Sequence, residues 1–444
     1  MKSLGIDLGT TKVAVIIYDR EKGLVTALNA PHYAALENEN PSVGEQDVEK
    51  IFSCVMELIG KIPENLRQEV SAIGITGQMH SLLLFGKNGT FSPLVTWQDH
   101  RCGKEMIDRF NRKSSLTLRE GFGGTTLARM AEENVLCHWE KAATISDALS
   151  FLIRGGNGKV ITDPTHAASW GIYDAGKGAW NEYALEKLNI PREILPEICE
   201  SGTVAGVVSG EFAQRFRIPA SAVVINAIGD NQASILGTGK DFAKEIYLTL
   251  GTGAQLSMVT DKMIKDLPEN LEMRPFPGSR YLLVSAPLCG GAAFAWLADT
   301  VNNFKAALGE APIPRGELLD KLDEAGYRFM VNNGESSIKI APHFLGERHA
   351  PELRGEISGL TLANATAGEL ASALALGIIR NLKSGFPAGE LATRTKVIGS
   401  GNAVRLVKSI RLAIEREFHL PLELNDGSEE AACGAAKEAL NSIE

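Results

Sequence analysis

No run of apolar residues in the 444-residue chain approaches membrane-spanning length, and no charged-then-apolar segment precedes Gly5. Neither a membrane span nor a secretory signal is expected, and the expected location is cytoplasmic. The six cysteines (Cys54, Cys102, Cys137, Cys199, Cys289 and Cys433) form no C-x-x-C pair, which fits reduced thiols better than a disulfide framework. Eight histidines show neither H-x-H nor H-E-x-x-H spacing, so no built-in zinc site is expected. Positive charge is in deficit: 45 Lys and Arg against 54 Asp and Glu leave a formal charge of −9. That excludes sequence-independent nucleic-acid binding, which needs a basic face. An anionic nucleotide is not excluded, because a few N–H donors and one Mg²⁺ suffice to hold it. Also missing are a Gly-Lys-Ser/Thr phosphate loop and a G-x-G-x-x-G turn opening a helix. Low-complexity segments are missing too.

What remains is a globular composition, 44% hydrophobic and 22% charged, in a chain too long for one ordinary core. The opening Leu4-Gly5-Ile6-Asp7-Leu8-Gly9-Thr10-Thr11 reads as a buried strand running into a tight turn. Glycine lets a phosphate approach the backbone, and Thr10 and Thr11 add hydroxyl donors. Asp7, at the strand's end, suits a hydrated Mg²⁺ beside that phosphate, while the plain alternative is a hairpin turn. Residues 13–19 read as a second strand paired with the first, residues 46–60 as a helix and residues 70–77 as a strand. Residues 103–153 read as largely helical, and residues 162–171 as a loop without clear period. Residues 223–229 form one buried-strand run ending at Asp230. Residues 246–250 form a strand that leads into Gly251-Thr252-Gly253, an echo of the opening turn. Residues 396–398 give a strand, Gly399-Ser400-Gly401-Asn402 a turn, and residues 403–418 and 429–440 helices. Strands alternate with helices in both halves, so the fold class is α/β. The boundary is set at residues 237–241, giving domains 1–239 and 240–444.

Three glycine-rich turns at predicted strand ends point to a nucleotide. If it is ATP, an acceptor must be activated, and Asp230 is the candidate base; the plain alternative has it capping the next helix. Gln78-Met79-His80 and Trp97-Gln98-Asp99-His100-Arg101 combine amide, carboxylate and aromatic groups suited to a polyol. Each cluster alone reads as ordinary core or surface, and they gain weight only together.

These segments resemble the FGGY family of carbohydrate kinases over essentially the whole chain. The resemblance rests on Gly5–Thr11, Gly74–His80, Gly229-Asp230-Asn231, Leu250–Gly253 and Gly399-Ser400-Gly401. Within the family, residues 94–102, Ala167–Gly171, Gln232–Ser234 and Leu345–His349 are most similar to the branch that phosphorylates sedoheptulose. The resemblance implies two actin-like, ribonuclease-H-like domains with nucleotide and sugar in a cleft between them, and transfer of the ATP γ-phosphate to a ketose hydroxyl. Domain 1–239 would then carry the sugar site, the first phosphate motif and Asp230, and domain 240–444 the second phosphate motif and the adenosine site. It implies Asp230 as base and Asp7 beside Mg²⁺, with Thr10, Thr11, Gly251, Thr252 and Gly253 at the phosphates. Gly291 and Gly399, Ser400, Gly401 and Asn402 would border the nucleoside. Gln78, Met79, His80, Trp97, Asp99, Asp230 and Asn231 would line the sugar site. ATP and the sugar are the expected small-molecule partners, without nucleic acid or membrane, and a homodimer is compatible with the sequence. Two features depart from the pattern. Asn231 is what xylulose kinases tend to carry after the base, and Ala14 stands where many relatives have a basic residue, with Lys12 nearby. Xylulose or another polyol is therefore the alternative acceptor, and a chaperone-type ATPase of the actin superfamily the alternative from another class.

Overall fold

The computed structural model describes residues 1–425 and 427–443. The chain divides into two compact units. Unit 1 holds Met1–Thr238, Pro275–Ser279 and the stretch from Gly427 onward; unit 2 holds Gly239–Arg274 and the stretch from Arg280 through Asn425. The terminal stretch, which the sequence assigns to the second half, thus groups with unit 1.

Unit 1 is built on β1 (Lys2–Leu8), β2 (Lys12–Asp19), β3 (Gly23–Pro31), α1 (Val48–Lys61), β4 (Val70–Gly77), α2 (Ile145–Ile153), β5 (Val204–Val207), β6 (Val223–Ile225), β7 (Ile228–Gly229) and α3 (Asp230–Thr238). Its sheet runs β5-β6-β4-β1-β2-β3, with β7 also on β4. β1, β2 and β3 are antiparallel neighbours, whereas β4 joins β1, and β6 joins β4, in parallel. Along β1 the side chains alternate. Leu4, Ile6 and Leu8 enter a core with Val13, Val15 and Ile17 of β2 and the apolar stripe of α1 (Ile51, Val55, Leu58, Ile59). Asp47 starts α1 by accepting the N–H groups of Glu49 and Lys50. The opposite face is covered by the terminal helix Glu430–Asn441, whose alanines allow close approach. Gly74 shows why small residues are needed there: a Cβ on it would stand 1.9 Å from the Ala435 carbonyl oxygen.

Unit 2 comprises β8 (Glu245–Leu250), β9 (Ala254–Thr260), β10 (Leu271–Phe276), β11 (Arg280–Ser285), α4 (Ala292–Ala307), α5 (Arg315–Asn333), α6 (Ala367–Lys383), β12 (Lys396–Ser400), α7 (Lys408–Phe418) and β13 (Leu422–Leu424). Its sheet order is β10-β11-β9-β8-β12-β13. Antiparallel pairs join β8 to β9 and β9 to β11, and parallel pairs join β8 to β12 and β12 to β13. α6 is buried along most of its length within the unit's core, as its period of Leu374, Ile378 and Leu382 predicts.

Four expectations need correction. The stretch 162–171 is not all loop: Asp163 caps a short helix, Pro164–Ser169, whose six residues are too few to show an apolar period. The stretch 103–153 contains a strand, Trp139–Ala143, paired with Leu83–Gly86. The run 223–229 is two strands separated at Asn226-Ala227. The helix expected over 403–418 is broken at Val407, where the Asp323 carboxylate accepts the N–H groups of Lys408 and Ser409, both at 2.8 Å, and starts α7 afresh. Among the described residues no helix is long and apolar enough to cross a membrane.

Candidate active site

In unit 1 the side chains suited to chemistry gather at the ends of β1, β4 and β7. Asp7 shares a sheet face with Gly5, opposite the Leu4-Ile6-Leu8 core, and lies between Ala14 of β2 and Thr76 of β4 in the register. Its Oδ1 is buried and has no hydrogen-bond partner among the described residues. Burial pushes its pKa up to about 7, and the negative charge of Asp230 pushes in the same direction. Glu429 and Glu430 add to this, while Lys12 opposes it. Lys12 Nζ lies 3.0 Å from both Glu429 carboxylate oxygens. Asp230 is the first residue of α3, immediately after β7.

The residues fit a hydrated divalent cation. An unpartnered buried carboxylate oxygen in an acid-rich neighbourhood favours positive charge, and Mg²⁺ commonly uses one or two carboxylates plus phosphate oxygens and water. Among the described residues no cluster of three or more His, Cys, Asp or Glu side chains could form an all-protein cage.

The Gly9-Thr10-Thr11 turn is held from three sides. His32 donates from Nε2 to the Gly9 carbonyl at 3.2 Å while its Nδ1 accepts the Ala34 N–H, so neutral imidazole with Nε2–H satisfies both bonds. Gln46 Nε2 donates to the Thr10 carbonyl at 2.7 Å. Trp97 Nε1 donates to Thr10 Oγ1 at 3.0 Å and leaves its ring 41% exposed. Thr11 faces solvent. Gln46 Oε1 in turn accepts Gln78 Nε2 at 2.9 Å, which joins the phosphate-type turn to the Gln78-Met79-His80 segment. Gln78 is buried, and its Oε1 has no partner. Met79 is buried against the place where a Gly229 side chain would be.

His80 has a φ of 69°, unusual for a side chain of its size, and Ser169 holds it there. Its N–H donates to Ser169 Oγ at 3.1 Å and its Nδ1 meets the Ser169 carbonyl at 2.6 Å, so Nδ1 carries the proton. The imidazole stacks on Phe122 with centroids 4.7 Å apart. Asp99 is bound into its own loop: Oδ2 accepts the Gly44 N–H at 3.0 Å and Arg101 Nε at 2.7 Å. Among the described residues Asp99 Oδ1 accepts the Arg101 N–H alone, at 3.3 Å. Asn231 is half-buried in the first turn of α3. Gln46, Phe122 and Ser169 were not among the sequence candidates. Each lies outside the motif that it supports; Ser169 falls within the Ala167–Gly171 segment that carries part of the family resemblance, and the Asp163-Pro164 helix start also signals its position.

Unit 2 brings its three glycine turns together. The Gly251 carbonyl accepts the Gly291 N–H at 2.9 Å, and the Thr252 carbonyl accepts those of Gly290 and Ala292 at 3.0 and 3.1 Å. Ser400 and Thr249 share a hydroxyl–hydroxyl bond of 2.8 Å. Gly401 adopts a φ of 87°, and a Cβ there would stand 2.5 Å from the Leu250 carbonyl oxygen. Behind it, Gly399 packs beneath Val404 and Leu422, and Asn402 opens a short helix. The result is a surface of backbone N–H groups, hydroxyls and glycine, a type of surface that suits a phosphate or a nucleoside.

Residues 3–237 match the FGGY family of carbohydrate kinases, N-terminal domain, and the chain belongs to that family. It is therefore a carbohydrate kinase, a phosphotransferase with an alcohol acceptor, and ATP use goes with the family. Two curated relatives align nearly end to end. A sedoheptulokinase of Homo sapiens is 30% identical over 98% of this chain and 96% of its own length, and one of Mus musculus is 28% identical over the same shares. Among solved structures, a gluconate kinase from Lactobacillus acidophilus matches 100% of this chain and 89% of its own, with a TM-score of 0.81 and 23% identity. The fold is accordingly α/β with two actin-like units.

Proposed function

We propose that the chain transfers the γ-phosphate of ATP to a terminal hydroxyl of sedoheptulose, giving sedoheptulose 7-phosphate. The observation that carries the mechanism is the strand register, which sets Gly229 beside Gly77 and Gly77 beside Leu8, so that Asp230 and Asp7 stand at the same end of the unit 1 sheet. Asp230 takes the acceptor's proton as the bond to phosphorus forms. In a loose phosphoryl-transfer transition state, positioning and charge neutralisation matter more than strong basicity. Thr10 and Thr11 meet the phosphates through hydroxyl and backbone N–H groups. Asp7 holds Mg²⁺ through water; bound there, the ion neutralises phosphate charge. In unit 2 the Gly251-Thr252-Gly253 turn meets phosphate, and Gly291, Gly399, Ser400, Gly401 and Asn402 border the nucleoside.

Gln78, Met79, His80, Trp97, Asp99 and Asn231 take the sugar. The unpartnered Gln78 Oε1 and the lightly used Asp99 Oδ1 supply acceptors for hydroxyls. The exposed part of the Trp97 ring can cover a C–H face. Near-full-length similarity to the two mammalian sedoheptulokinases supports this acceptor. Asn231 favours xylulose as the second reading. The unpaired cysteines among the described residues fit a reducing cytoplasm.

A ketose series assayed with Mg-ATP tests the acceptor. The expected kcat/KM is at least about tenfold higher for sedoheptulose than for D-xylulose. The reverse order would replace the acceptor and leave the phosphotransfer chemistry standing.

A further inference from the structure

The helix Pro164–Ser169 contains none of the residues proposed to meet ATP or the sugar, yet it is bonded to the chain on both sides of the proposed chemistry. At its far end Ser169 holds His80. At its near end Thr165, fully buried, donates its hydroxyl proton to Asp163 Oδ1 at 2.6 Å. Thr165 Oγ1 itself accepts the N–H of Gly229 at 2.8 Å. A hydroxyl has one proton, so commitment of that proton to the carboxylate turns the lone pairs toward Gly229. Asp163 is fixed in its turn, accepting the Ser201 hydroxyl at 2.5 Å and the His166 N–H at 2.9 Å.

Gly229 immediately precedes Asp230 and belongs to β7, a strand of only two residues. β7 pairs with β4 alone, and Thr76 Oγ1 donates to the Ile228 carbonyl at 2.7 Å. The peptide leading into Asp230 is thus gripped by two buried hydroxyls, one from the sheet and one from the short helix. Gly229 has no side chain of its own to stiffen the turn; a Cβ there would come within 2.9 Å of the Met79 thioether, which would have to move.

We propose that Thr165 is a positioning residue for Asp230, its hydroxyl fixing the Gly229 peptide so that the carboxylate stays aligned with the acceptor hydroxyl. The inference rests on the reading of Asp230 as the base. A threonine-to-valine change keeps the shape and strands the Gly229 N–H in a buried place, so the turn must shift to find another acceptor.

The test is steady-state kinetics of Thr165→Val, Thr165→Ser, Ser201→Ala and Asp230→Asn, with sugar and Mg-ATP varied separately. For Thr165→Val, kcat should fall about 10- to 100-fold while both KM values stay within about twofold, the signature of a misplaced catalytic group. Thr165→Ser should recover kcat to within about threefold of wild type, because it restores the acceptor. Ser201→Ala removes a different donor to Asp163 and leaves the Gly229 acceptor in place, so its kcat should stay within about twofold. A Thr165→Val kcat within about twofold of wild type, or equal damage from Ser201→Ala, would overturn the inference. So would a serine variant as poor as the valine one. If Thr165→Val does not fold, Thr165→Cys, whose thiol accepts weakly, is compared with Thr165→Ser; equal kcat values would then overturn it. Wild-type turnover by Asp230→Asn sinks the base assignment itself. Loss of turnover there, together with an unaffected Thr165→Val, sinks only the positioning role.

Discussion

The two units share a five-strand arrangement, β3-β2-β1-β4-β6 in one and β11-β9-β8-β12-β13 in the other, and use its central strands differently. In each, a first strand runs antiparallel to the second and parallel to a later one (β4 for β1, β12 for β8), and its end reads Asp7-Leu8-Gly9-Thr10 in unit 1 and Thr249-Leu250-Gly251-Thr252 in unit 2. The register makes the positions comparable one by one. Asp7 faces Thr76 across the parallel pair and Thr249 faces Ser400. In unit 1 the position is a buried acid with an unpartnered oxygen among other acids; in unit 2 it is an exposed hydroxyl bonded to its neighbour. One sheet end offers ionisable side chains and the other offers backbone and hydroxyl groups. On the proposed function, a common strand arrangement would leave side-chain chemistry to one unit and backbone recognition to the other.

The comparison breaks most sharply at Asp230, which has no carboxylate counterpart among the unit 2 turns at 251–253, 290–291 and 399–402. Asp230→Asn should lower kcat by about 1,000-fold, within the range for a general base, with ATP binding retained by calorimetry. Near-normal turnover would place the chemistry elsewhere. Removing that charge should also lower the Asp7 pKa, since Asp230 is the largest charged contributor to its elevation.

Next in size is Asp7→Asn. A kcat loss of about 100-fold is expected at saturating Mg-ATP, from lost charge organisation at the phosphates. Stability without nucleotide should move the other way. The folded protein holds the Asp7 proton up to about pH 7 and the unfolded chain releases it near 3.8. This group's contribution is therefore fully present below pH 4 and is lost as pH rises through 7. That gap corresponds to on the order of 4 kcal/mol at most. The variant should match wild type in Tm near pH 4 and exceed it by roughly 5 °C at pH 8. Parallel Tm curves for the two proteins across that window would show that the carboxyl is not perturbed.

On the unit 2 side the sensitive position is backbone. Gly401→Ala forces a side chain into a left-handed conformation and against the Leu250 carbonyl oxygen. A loss of about 2 kcal/mol in stability is expected, together with a rise of about tenfold in the KM for ATP and a kcat within about threefold. An unchanged KM would remove this turn from nucleotide binding.

The sequence contains the repeated Leu-Gly-Thr and the strands beneath it, because alternation and glycine turns are local signals. Asp7, Thr10, Gln78, Asp230 and the turns at 251–253 and 399–402 could be named from their residue types and places, whereas Gly291 came only from the family resemblance. The supports of those residues could not. Gln46 reaches both Thr10 and Gln78 across more than thirty residues, and Thr165 reaches Gly229 across 64, so no spacing rule connects them. The raised pKa of Asp7 is equally invisible in sequence, since it depends first on burial and on Asp230, with Glu429 and Glu430 from the chain's other end adding to it. Grouping of the terminal helix with unit 1 has the same origin: its alanines are local, but the glycine-lined surface that accepts them is assembled from β1 and β4.

The smallest effect is expected from making the two positions alike. Thr249→Asp puts a carboxylate at the unit 2 equivalent of Asp7, where the side chain is exposed and Ser400 offers a hydroxyl. If the strand-end position itself raised a carboxyl pKa, the new acid would behave like Asp7. If burial and neighbouring acids raise it, the new carboxyl should titrate in the ordinary range near 4, with a stability change of about 0.5 kcal/mol and no Tm drift between pH 5 and 8. Carboxyl chemical shifts followed through a pH titration decide between the two. A Thr249→Asp pKa near 7 would mean that the scaffold, not the acids gathered around Asp7, sets the proton affinity at this point of the fold.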